Sequence, residues 1–147
     1  MSKRMMHYDG LKDGGTFPLD AATAAKIKDN PKSLIHKALT WVDGTGEPMV
    51  GYGQSAPGGS PIAGIVVSID KCDAYVDGTQ AGDWTVGISW RGTFIDIPTP
   101  NANTGVAAKW LNCDDKGNVV TSATITNTAC LSVDTVPAQK TCIVKID

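Results

Sequence analysis

The segment AGDWTVGISWRGTFIDIPTP (residues 81–100) reads as two strands placed end to end. Trp84, Val86, Ile88 and Trp90 fall on every second position, with Thr85, Gly87 and Ser89 between them. A period of two puts the four large residues on one face of a strand, and they are the expected core. Arg91–Gly92 breaks the run. A second alternation then sets Phe94 against Ile95 and Ile97, and it stops at Pro98. A proline at a strand end removes an amide where the ladder needs it least. The whole segment holds no histidine, cysteine or glutamate. Its clearest strands therefore carry almost no reactive chemistry.

Working toward the C-terminus, the same rhythm continues. GVAAKWLNCDDKGNVVTSATIT (105–126) reads as a hairpin with Asp115–Lys116–Gly117 at the tip, and ACLSVDTVPAQKTCIVKI (129–146) supplies two more strands. Toward the N-terminus, IAGIVVSID (62–70) is a buried strand, and QSAPGGSP (54–61) is a loop. Thr40–Trp41–Val42 runs into Asp43–Gly44 and returns through EPMVGYG, a hairpin signal. PLDAATAAKIKDNP (18–31) is the one helix signal: Asp20 caps it, alanines fill it and Asn30–Pro31 ends it. Residues 1–17 look irregular: YDGLKDGGTFP (8–18) packs three glycines and a proline around few apolar side chains. The predicted organisation is an extended N-terminal arm (1–17) and a single β-rich domain (18–147) with a short helix near 20–29. The fold class is mainly β, a compact barrel or sandwich, because turn signals recur at the spacing such folds use. Deleting residues 2–15 is expected to leave the domain folded.

Composition agrees. The chain has 147 residues, of which 19% are charged, and Glu47 is the only glutamate. Aspartate favours turns and caps over helix interiors. Residues 1–45 carry seven Lys/Arg against five Asp, and residues 46–147 carry six against ten acids. A basic front on an acidic body suggests that the front touches something acidic. No Lys/Arg run with interleaved aromatics points to nucleic acid. No stretch approaches the roughly 20 apolar residues of a membrane helix, and no signal peptide is visible, so a membrane partner is not expected.

Reactive motifs are scarce. The four cysteines, Cys72, Cys113, Cys130 and Cys142, include no C-x-x-C pair, and only His7 and His36 could help them hold zinc. They are expected as free, partly buried thiols. The nucleophile elbow and the phosphate loop are both absent. Asp70 with Asp73, and Asp114 with Asp115, could hold calcium, but DDKGN also has the residues a hairpin turn wants. No aspartate pair is marked out for glycosidase work. No catalytic residue, metal or cofactor is therefore expected. Trp41 or Trp110, beside Asp and Asn, could instead form a sugar-stacking surface.

Read in order, Gly64, Gly82–Asp83, Val86, Gly92, Pro98, Gly105, Trp110, Asp115–Gly117 and Val120–Thr121 form a pattern of strands and turns. Over roughly residues 60–125 it resembles the small β-barrel cement, or head-decoration, proteins of tailed bacteriophages. Two features depart from that pattern: the long front and the cysteines. The resemblance implies a structural virion protein made in the host cytoplasm and bound to the capsid exterior. It implies the major capsid protein as partner, often with the decoration protein as a homotrimer, and no enzymatic activity. The arm residues Lys3, Arg4, His7 and Tyr8 are the expected capsid contacts. The alternative is a β-barrel carbohydrate-binding or host-attachment module of a phage structural component.

Overall fold

The computed structural model describes residues 7–8, 13–42, 48–55, 58–72, 83–99, 110–122, 130–136 and 140–146, the side chains of 7–8, 72, 83 and 130–136 excepted. The chain is mainly β. Its strands are β1 (His7–Tyr8), β2 (Gly14–Pro18), β3 (Ala38–Val42), β4 (Met49–Gly51), β5 (Gly64–Cys72), β6 (Asp83–Ser89), β7 (Gly92–Pro98), β8 (Leu111–Cys113), β9 (Val119–Thr121), β10 (Cys130–Val136) and β11 (Thr141–Ile146). One helix, α1 (Ala21–Ile27), and one 3₁₀ turn (Pro31–Leu34) lie between β2 and β3.

The largest sheet runs β1-β2-β6-β5-β3-β4, with every paired neighbour antiparallel. It curls into a half-barrel. β4, at the far end of the order, comes back to the end of β2 through a parallel bridge between Leu19 and Val50. Asp20 donates its amide to the Val50 carbonyl at 2.9 Å, and Leu19 donates to Trp84 at 3.0 Å. Strand twist brings the two ends within reach. α1 follows this bridge directly, and its start follows the sequence: Asp20 Oδ1 accepts the Thr23 amide at 3.0 Å. Thr23 and Ile27 face inward. Thr23 Oγ1 accepts the Tyr52 amide at 2.9 Å, which ties the helix to the chain leaving β4.

A second sheet, β10-β11-β7, and the hairpin β8–β9 complete the body. The hairpin pairs Cys113 with Val119 around the tip 114–118, as its residues predict. Two apolar clusters result. Phe17, Leu19, Leu39, Val50, Val66, Val86 and Ile88 fill the half-barrel, whereas Ile65, Ile97, Leu111, Val119, Val144 and Ile146 lie between it and the second sheet. β3, β5 and the segment leading into β5 are the shared wall. Ala38, Ile62 and Ile65 face one cluster while Leu39, Ala63 and Val66 face the other. That explains why IAGIV (62–66) is continuously apolar: a strand covered on both faces has no polar side. Gly64 lets this wall approach β6, because a Cβ there would stand 2.7 Å from the Ser89 carbonyl oxygen.

The expected arm needs correcting. Gly14–Pro18 is a strand inside the sheet, in register with β6 from Gly14↔Ser89 to Pro18↔Thr85. Phe17 is 1% exposed. The boundary drawn after residue 17 therefore cuts a core strand, and a deletion through residue 15 would remove Gly14 and Gly15 from it. Glycines and a proline obscured a five-residue strand whose partner lies 70 residues away.

Of the expected core residues, Val86 and Ile88 are buried. Trp84 and Trp90 are only partly covered, packed on the rim of the half-barrel cluster. Trp84→Ala should accordingly cost about 2 kcal/mol in urea melts, below the 3–5 kcal/mol of a fully enclosed ring. A loss above about 4 kcal/mol would contradict this partial coverage.

Candidate functional site

Two β-bulges organise the most exposed aliphatic surface among the described residues. In β5, Val66 and Ser68 oppose Ile88 and Gly87, so Val67 is the extra residue. In β7, Phe94 and Ile97 oppose Val144 and Cys142, so the stretch Ile95–Asp96 holds one residue too many. Asp96 takes a left-handed φ of 59°, which lets the strand absorb the excess. Both bulges turn an aliphatic side chain outward. Val67 is 54% exposed and Ile95 62%. The expectation that Ile95 and Ile97 share a face fails for this reason: Ile97 is fully buried and Phe94 packs partly into the same cluster.

Val67 and Ile95 flank one open groove of about 300 Å³. Its other lining includes Ile35, His36, Val66, Thr93 and Phe94. His36 is exposed and sits at φ 74°, with its amide donated to the Val66 carbonyl at 2.9 Å. The groove thus lies between the shared wall and the second sheet, built on well-paired backbone.

A different surface gathers aromatic rings. The Phe17 and Trp41 rings meet edge to face, with centroids 4.8 Å apart and planes at 89°. Trp90 lies 5.9 Å from Phe17 and 6.5 Å from Trp41, tilted 44° to the latter. Trp41 is 48% exposed. Of the two tryptophans expected as sugar-stacking candidates, Trp41 is the more clearly open. Trp110 is half-buried, and its carbonyl accepts the Ser122 amide at 2.8 Å. No periodicity signals that Trp41 and Trp90 meet, because they lie on segments 49 residues apart.

The acidic tip of the β8–β9 hairpin does the work of a turn. Asp114 is 3% exposed, and its Oδ1 accepts the amides of Lys116 at 2.9 Å and Asn118 at 2.8 Å. Lys37 reaches Asn118 Oδ1 at 3.3 Å, and Ser55 donates to Asp115 at 3.3 Å. Gly117 sits at φ 76°, and a Cβ there would press on Lys37 and Tyr52. Burial pulls the Lys37 ammonium below its usual range, against the opposing pull of the Asp114 charge. Burial, helped by that same charge, pushes the Tyr52 phenol up. Among the described residues no group of three His, Cys, Asp or Glu side chains gathers as a metal site would.

Cys113 is a buried free thiol beside this tip, and its pKa is pushed up to about 12, mainly by burial and then by Asp114. It is a packing residue at neutral pH, since the thiolate is the reactive form. Cys142 is buried in the same cluster. The side chains of Cys72 and Cys130 lie outside the described residues, as do Asp73 and the arm residues Lys3 and Arg4. His7 and Tyr8 form β1, which pairs with Thr16 and Gly15 at the sheet edge. The last residue of the expected arm, Phe17, lies among the aromatic rings, and the Asp13 carbonyl accepts the Trp90 amide at 2.7 Å.

Comparison with protein-family models, with curated proteins and with solved structures returned no match.

Proposed function

We propose that this chain is a structural virion protein, a capsid decoration (cement) protein that binds the outer surface of a tailed-phage head and stabilises the shell. The observation that carries the reading is the pair of exposed aliphatic side chains, Val67 and Ile95, raised by bulges at one groove on doubly packed strands. Bulges are local devices that re-aim side chains, and exposed apolar patches on rigid bodies commonly mark contact surfaces. A fastener of this kind binds the assembled lattice and not its separated subunits, so it stabilises the lattice by mass action. As a homotrimer it would join several weak contacts through effective concentration. The partner is the major capsid protein, and Lys3, Arg4, His7 and Tyr8 add a basic contact from the front of the chain. No catalytic step is required of any residue.

The test is co-sedimentation with expanded heads and with unexpanded shells, followed by thermal challenge of the loaded particles. The wild-type chain should bind expanded heads and raise the temperature at which they rupture. The double variant Val67→Asp/Ile95→Asp should lose binding by about a hundred-fold or more, as two buried apolar contacts become charges that cannot be paired. Its own unfolding should change little, because surface positions usually move stability by about 0.5 kcal/mol or less. Unchanged occupancy by that variant would reject the groove as the shell contact.

The second reading, a carbohydrate-binding or host-attachment module, draws on another surface, the open Trp41 ring.

A further inference from the structure

We draw no further inference here: the strongest candidate, the aromatic cluster of Phe17, Trp41 and Trp90 on the half-barrel, leaves the Trp41 ring open, and nothing in the structure shows what covers it.

Discussion

Phe17→Ala should destabilise the protein by about 3–5 kcal/mol in equilibrium denaturant melts. The ring is 1% exposed at the centre of the half-barrel cluster. It belongs to β2, where Phe17 is in register with Val86 of β6. Removing it leaves a cavity that Leu19, Val50 and Val86 cannot fill without moving paired backbone. It also withdraws the floor beneath Trp41 and Trp90, so near-ultraviolet dichroism of the tryptophans should weaken in parallel. Typical domains have about 5–15 kcal/mol in total, so this one change brings the chain near unfolding. A loss below about 1.5 kcal/mol would mean that residues 14–18 are a detachable arm after all. Phe17→Leu should recover more than half of the loss, since it restores most of the apolar volume.

Asp114→Ala should cost about 2–4 kcal/mol, while Asp114→Asn should cost about 1 kcal/mol or less. The carboxylate is buried and accepts two turn amides, at 2.9 Å from Lys116 and 2.8 Å from Asn118. The backbone of the same residue accepts from Gly53 at 3.0 Å and donates to Asn118 at 2.9 Å. The hairpin tip is thereby tied to the loop after β4. Alanine strips both amides of their acceptor in a place water reaches poorly, and hydrogen bonds to a charged group are among the stronger ones. Asparagine keeps one side-chain oxygen in position and is at home in such turns. The two variants compared by urea melts separate the turn role from a merely electrostatic one. Equal, large losses in both would mean that the negative charge facing Lys37 matters more than the acceptor geometry.

Much of the architecture is legible in local chemistry. Asp20 ahead of an alanine-rich run announces α1, and its side chain does cap the Thr23 amide. DDKGN announces a turn, and Asp114 closes it. Strict alternation in WTVGISW identifies Val86 and Ile88 as core. Each of these signals lies within a few residues of its effect. The short strand β2 escaped because its residues, Gly14–Gly15–Thr16–Phe17–Pro18, have weak strand character and are recruited by β6. The aromatic cluster escaped because its three rings come from three segments, and nothing in any one of them says they will meet.

Local sequence alone was enough for the mainly-β class, the capped helix α1, most hairpins and the identity of the turn residues. These follow from side-chain period and from which residues tolerate tight backbone, and both are short-range properties. Tertiary structure alone decided which faces are buried twice, where the ladder skips a residue and which aromatic rings stand together. A bulge depends on how a partner strand is cut to length, and Val67 and Ile95 point outward only because β6 and β11 each run one residue short against β5 and β7. The candidate contact surfaces therefore come from pairing between distant strands, which no local pattern encodes.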